Sequence, residues 1–196
     1  MRLEKIALTH IRVPLVEPFR ISNGAVSEKE CIIVSVFSDG LVGHGEASPM
    51  SGSFYSEDTP ESTWAYLTDV LVPRVRAEYS SSIAEITGVL DKAGGNSFAR
   101  AGIETAVWDL EAQRRGVSLF RALGGTRDTV ESGLAVGIYP NLKELLAAIQ
   151  RYLPDGYKRV KIKIQPGWDL EPLREVRRNF GNINLMVDAN CAYTRA

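Results

Sequence analysis

The chain has 196 residues, 44% hydrophobic and 24% charged, which supports one sizeable soluble domain or two small ones and excludes disorder as the main state. Its 23 Lys and Arg against 24 Asp and Glu give a formal net charge of -1, leaving no global field to gather nucleic acid or an anionic membrane surface. No apolar run of signal-peptide length follows Met1, and none reaches the about eighteen residues of a membrane span, which predicts a cytoplasmic protein. Cys31 and Cys191 lie far apart, form no CxxC pair and do not cluster with His10 or His44, so both are read as free thiols.

From Leu3 to Val16 and from Cys31 to Phe37, apolar residues run or alternate at strand period. Asp39-Gly40 then stands where a hairpin must turn before Leu41-Val42-Gly43-His44-Gly45-Glu46, which predicts a small antiparallel sheet. Between the first two strands, Pro18-Phe19-Arg20-Ile21-Ser22-Asn23-Gly24 is too rich in turn formers for a strand and too apolar for a solvated linker. The expectation there is a loop that covers something. After a second mixed loop from Met50 to Thr59, a helix starts at Pro60, with Trp64, Leu67, Val70 and Leu71 at helical spacing. Another is predicted from Ile83 to Lys92. The clearest begins near Ser97, places Ala101, Thr105, Trp108 and Ala112 along one side, and ends at Gly116 after Arg114-Arg115. Residues 1–127 are thus expected to form an α+β domain.

Beyond them the grammar changes. Leu134 to Ile138, a helix from Leu142 to Leu153, Arg159 to Ile164, a helix from Leu170 to Phe180, and Leu185 to Asp188 alternate strand and helix. Such alternation implies right-handed βαβ units of a parallel sheet, in either an open doubly wound fold or a (β/α)₈ barrel.

Lys161 and Lys163 are two apart on a strand, so their ammonium groups share one face while Val160, Ile162 and Ile164 take the other. By itself this is an ordinary amphipathic strand with solvated lysines. Asp188 and Asn190 share a face at the C-terminal end of the next strand, where α/β proteins bind ligands, although Asp-Ala-Asn is also an ordinary turn. Together they say more. Adjacent parallel strands lie roughly 4.8 Å apart, so Lys163 and Asp188 can flank one pocket, a base beside a carboxylate able to hold a hard cation. A proton α to a carboxylate is very weakly acidic, and its removal needs a neutral base and stabilisation of the dianion that forms.

Lys161-Ile162-Lys163-Ile164-Gln165-Pro166-Gly167-Trp168-Asp169 followed by Val187-Asp188-Ala189-Asn190-Cys191-Ala192-Tyr193-Thr194 resembles the second and third barrel strands of the enolase superfamily, nearest its o-succinylbenzoate synthase and N-acylamino acid racemase group. Pro18-Phe19-Arg20 with Lys29-Glu30, Gly45-Glu46-Ala47 and Ala101 to Leu110 extend the resemblance over essentially the whole chain. It implies an α+β capping domain over 1–127 and, over 128–196, the first three strands and two helices of a (β/α)₈-type barrel. It also implies Mg²⁺-dependent abstraction of a proton α to a carboxylate, a reaction in which this superfamily pairs a Lys or His base with Mg²⁺. The outcome would be dehydration to o-succinylbenzoate in the menaquinone pathway, racemisation of an N-acylamino acid, or both. Dipeptide epimerase or muconate cycloisomerase chemistry is the alternative. Carried over residue by residue, the resemblance makes Lys163 the acid/base lysine, Lys161 its partner near the substrate carboxylate and Asp188 a Mg²⁺ ligand. Asn190, Phe19, Arg20, Met50 and Tyr55 become substrate-binding residues. A small carboxylate substrate and a homo-oligomer at full length are implied as well. Ala135 stands where family members often carry a hydroxyl residue.

A complete barrel takes about 250 residues, so 128–196 is expected to be an incomplete one. The superfamily's further metal carboxylates, on the fourth and fifth strands, and its second lysine, on the sixth, have no counterpart here, so the 196-residue chain is expected to be inactive by itself. Gly43-His44-Gly45 lacks the third glycine and βαβ setting of a dinucleotide site and reads as a structural strand end. His10 and His44 read as surface or packing residues, and Glu104 and Trp108 as packing between domains.

Overall fold

The computed structural model describes residues 3–52, 54–77 and 82–194. It falls into two compact units, one of Met1–Pro14 with Glu28–Thr126, the other of Leu15–Ser27 with Arg127–Ala196.

The first unit contains most of a sheet ordered β1 (Lys5–Ile21), β2 (Gly24–Ser38), β3 (Leu41–Ala47). Strands β2 and β3 are antiparallel and close on Asp39 and Gly40 with φ of 51° and 76°, the left-handed pair that a two-residue type I′ hairpin requires. Alternate residues Ile32, Val34 and Val36 are fully buried. They pack with helices α1 (Pro60–Tyr66), α2 (Val72–Ala77), α3 (Ile83–Ala93) and α4 (Ser97–Arg114), which α5 (Leu119–Ala122) follows. Thr59 and Ser82 begin α1 and α3 with capping boxes, and the Asn96 side chain accepts from Ala99 N–H at the start of α4.

Between α1 and α2 lies a π-helical turn, Leu67–Leu71. Thr63, Leu67, Leu71 and Val75 are the inward residues, at a strict four-residue spacing. An α-helix would carry that line around its axis by roughly 40° per step, and one wider turn takes up the drift. The predicted inward Trp64 is consequently 37% exposed. In α4 the buried face is Ala99, Gly102, Ile103, Ala106, Val107 and Leu110, and of the predicted line only Ala112 is buried. This face meets β3 backbone to backbone. A Cβ on Gly43 would lie 2.2 Å from the Ala106 carbonyl oxygen and one on Gly45 2.2 Å from that of Gly102. The Gly-His-Gly of β3 is therefore a packing device.

In the second unit β4 (Gly133–Val136), β5 (Arg159–Lys163) and β6 (Leu185–Asp188) form a parallel sheet in that order, connected through α6 (Leu142–Tyr152) and α7 (Leu170–Phe180). Val136, Val160 and Ile162 pack with Leu145, Ala148 and Ile149 of α6 and with Val176 of α7. Period two then sends Ala135, Lys161 and Lys163 to the other face.

The loop expected from Pro18 to Gly24 is instead a hairpin tip, with β1 continuing to Ile21, β2 starting at Gly24 and only Ser22 and Asn23 in the turn. Partners remote in sequence supply the reason. Ile138 N–H donates to the Arg20 carbonyl at 2.8 Å and the Tyr139 hydroxyl donates to Glu17 at 2.7 Å, so tertiary contacts override the local turn formers. Burial and the Glu17 carboxylate together push the Tyr139 hydroxyl well above its usual range. Among the described residues no helix is long and apolar enough to cross a membrane.

Candidate active site

Strand β5 brings Lys163 opposite Asp188 of β6 in register, and Lys161 opposite Ala135 on one side and Met186 on the other. Lys163 is 7% exposed, which for a lysine requires polar partners. It has two: Nζ donates to Asp188 Oδ2 at 2.8 Å and to Asn190 Oδ1 at 2.5 Å. Lys161 Nζ lies 3.3 Å from the same Asp188 oxygen. The other oxygen of Asp188, Oδ1, accepts the Asn190 backbone N–H at 3.0 Å. Donation from Lys163, then from Asn190 N–H, with Lys161 contributing further, holds the Asp188 carboxyl down at about 2.

Asn190 reaches this cluster by another route than the shared strand face expected. Strand β6 ends at Asp188, and Asn190 and Cys191 follow with φ of 47° and 62°. Asparagine tolerates the left-handed region through local hydrogen bonding, whereas for cysteine it costs about 1 kcal/mol or more. The turn aims the Asn190 amide oxygen at Lys163. Two further contacts hold it. Ser22 Oγ–H donates to the Ala189 carbonyl at 2.7 Å, and the Tyr193 hydroxyl donates to Asp169 Oδ2 at 2.6 Å. Asp169 Oδ1 meanwhile accepts Leu170 N–H, capping α7. The Asp169 carboxylate pushes the Tyr193 hydroxyl up to about 12.

Lys161, Lys163, Asp188 and Asn190 are thus brought together at the C-terminal ends of parallel strands. Phe19 in the second unit lines, with Glu17, Ala135, Gly137 and Tyr139, a cavity of about 60 Å³ at the end of β4, the strand beside β5. Arg20 contributes backbone there and its side chain is exposed. A Cβ on Gly137 would come 3.0 Å from the Arg20 carbonyl oxygen, so this close crossing suits glycine. Met50 and Tyr55 belong to the first unit, half-buried and exposed respectively, and Ser53 between them lies outside the described residues. The start of that segment is tethered by Lys29, which donates to the Ser48 and Pro49 carbonyls, and by Ser51, which donates to Glu30.

Asp188 is the carboxylate that the cluster offers to a cation, and both of its oxygens are engaged by donors. Among the described residues no three His, Cys, Asp or Glu side chains converge to hold a metal. Mg²⁺ requires six oxygen ligands in near-octahedral array, so these residues do not by themselves form its site.

Residues 4–124 match the mandelate racemase / muconate lactonizing enzyme N-terminal domain, and residues 144–196 match the enolase C-terminal domain-like family. The chain belongs to the mandelate racemase / muconate lactonizing enzyme family of the enolase superfamily. An o-succinylbenzoate synthase of Geobacillus stearothermophilus is 43% identical over 195 residues, covering 99% of this chain and 52% of that protein. An N-succinylamino acid racemase of an Amycolatopsis species is 38% identical over 195 residues, covering 99% and 53%. The dipeptide epimerase of Enterococcus faecalis V583, solved with Mg and the dipeptide L-Leu-L-Tyr, superposes with a TM-score of 0.89 at 26% identity, covering 99% of this chain and 55% of that one. The chain spans about half the length of the curated relatives it matches. Within the superfamily its architecture is the N-terminal α+β capping domain followed by part of the (β/α) barrel.

Proposed function

We propose that the complete protein removes a proton α to the carboxylate of a small substrate, as an o-succinylbenzoate synthase, an N-acylamino acid racemase or both, with Lys163 as the acid/base group. One observation carries this reading: a buried lysine amine joined to Asp188 and Asn190 at the C-terminal ends of neighbouring parallel strands. That is where strand-borne catalytic groups gather in barrel enzymes. The relatives at 43% and 38% identity are named an o-succinylbenzoate synthase and an N-succinylamino acid racemase, the latter a narrower form of the second activity proposed.

Each residue then has a task. Lys163 in its amine form takes the α-proton on Nζ; in dehydration the resulting ammonium gives a proton to the departing hydroxyl, which leaves as water, and in racemisation a second base beyond these 196 residues delivers a proton to the opposite face of the α-carbon. Lys161, on the same face two residues earlier, sets a positive charge where the substrate carboxylate would lie. Asn190 Oδ1 fixes the direction of the Lys163 amine. Phe19, Arg20, Met50 and Tyr55 are proposed to enclose the substrate. In the complete protein Asp188 would be one ligand of Mg²⁺, with ligands beyond these 196 residues, and the cation's charge would stabilise the enediolate.

Lys163→Ala in the full-length protein tests the proposal. In deuterated buffer, wild type should wash deuterium into the α-position of an N-acylamino acid or convert the o-succinylbenzoate precursor. The variant should fold normally and lose roughly 10²- to 10⁴-fold in rate. Retained exchange would remove Lys163 from the base role. Activity confined to dipeptides would favour the epimerase alternative.

A further inference from the structure

We infer that Ser22 is a positioning residue for the lysine cluster, acting through the peptide that joins Asp188 to Asn190. Ser22 sits in the turn of the β1–β2 hairpin, and its hydroxyl donates to the Ala189 carbonyl at 2.7 Å across 167 residues of sequence. Ala189 is the one residue between the two groups that accept from Lys163. Orientation of its carbonyl therefore sets where β6 stops and where the left-handed turn at Asn190 begins, with φ of 47° followed by 62° at Cys191.

Strain of this kind persists only where neighbours over-determine the backbone. Four contacts do so: Asn190 N–H to Asp188 Oδ1 at 3.0 Å, Ala192 N–H to the Ala189 carbonyl at 3.0 Å, the Tyr193 hydroxyl to Asp169 Oδ2 at 2.6 Å beyond the turn, and Ser22 at the Ala189 peptide itself. The first two are local and move with the turn. Ser22 is anchored from outside it, on a hairpin held at its other edge by Ile138 N–H donating to the Arg20 carbonyl. Removing its hydroxyl leaves the turn its internal bonds and its ties at Asp188 and Tyr193, and deletes the contact that fixes the Ala189 peptide between them from a separate element. The Asn190 amide oxygen would then swing relative to Lys163, and the amine would lose its aim before the fold lost stability.

This inference rests on Lys163 being the base, so its test carries a readout that does not. Ser22→Ala and Ser22→Thr are compared in the full-length protein by α-proton exchange kinetics, by amide hydrogen exchange over residues 185–194, and by thermal unfolding. Ser22→Ala should lower kcat by roughly tenfold with KM within about twofold, as losses of supporting hydrogen bonds do. Amide exchange at Asn190 and Cys191 should quicken by about fivefold or more while the unfolding midpoint holds. Ser22→Thr keeps the hydroxyl and should restore both. Wild-type amide exchange in Ser22→Ala overturns the inference whatever the kinetics. So does equal loss in both variants with a matching fall in the midpoint, which marks general destabilisation. A wild-type protein without α-proton exchange defeats the proposed function, and the amide-exchange comparison still decides the role of Ser22.

Discussion

Asp188 carries more of the site's electrostatics than any residue beside it, because one carboxylate answers two ammonium groups and a backbone N–H. Its folded pKa of about 2 lies below the ordinary carboxylate value of about 3.9. A depressed carboxyl contributes stability that is fully present above the unfolded value and disappears as pH falls through the folded one. The window runs from about pH 4 to 2. With a side chain 28% exposed, the contribution is discounted for solvent screening. Asp188→Asn, compared with wild type by denaturant unfolding without divalent cations, should cost about 1–2 kcal/mol near pH 6 and progressively less toward pH 2. A pH-independent difference would contradict the pairing. Much of this cluster was legible in the sequence, since Lys-Ile-Lys on a strand fixes a common face for the lysines. The turn at Asn190 was not legible, because its left-handed backbone answers to a lysine on another strand and a serine in a distant hairpin.

At the scale of elements, α4 lies on β3 with Gly43 and Gly45 at the points where the two backbones come closest. Gly45→Ala would set a methyl 2.2 Å from the Gly102 carbonyl oxygen, a contact with backbone that no rotamer relieves. The variant should lose about 2 kcal/mol or more of stability, read from its thermal unfolding midpoint, and a midpoint at the wild-type value would show that α4 shifts freely. Periodicity located the helices and the parallel strands well, since both depend on residues close in sequence. It missed the π turn at Leu67–Leu71, whose four-residue spacing reads as ordinary amphipathicity. It also missed the extension of β1 through Ile21, where Pro18, Ser22 and Gly24 signal a loop and Ile138 and Tyr139 hold a strand.

For the molecule as a whole, the parallel sheet offers open surface. Met186 and Val187 of β6 are 45% and 44% exposed, and among the described residues no strand pairs with the far side of β6. An unpaired apolar edge favours association. The purified 196-residue polypeptide should therefore self-associate with rising concentration in sedimentation velocity, and should show no sustained turnover with Mg²⁺ on either substrate class. Turnover abolished by Lys163→Ala would instead show that these residues suffice, with the missing ligands supplied between copies. The β1–β2 hairpin has a temporal consequence too. Its stem belongs to the first unit and its tip to the second, and Ser22 must wait for Ala189, 167 residues later, to leave the ribosome. Contacts of such separation carry a large loop-closure entropy cost and slow folding. The first sheet to be synthesised is thus among the last to be finished, and the nascent chain acquires its completed N-terminal hairpin only when the strand bearing Asp188 arrives to receive it.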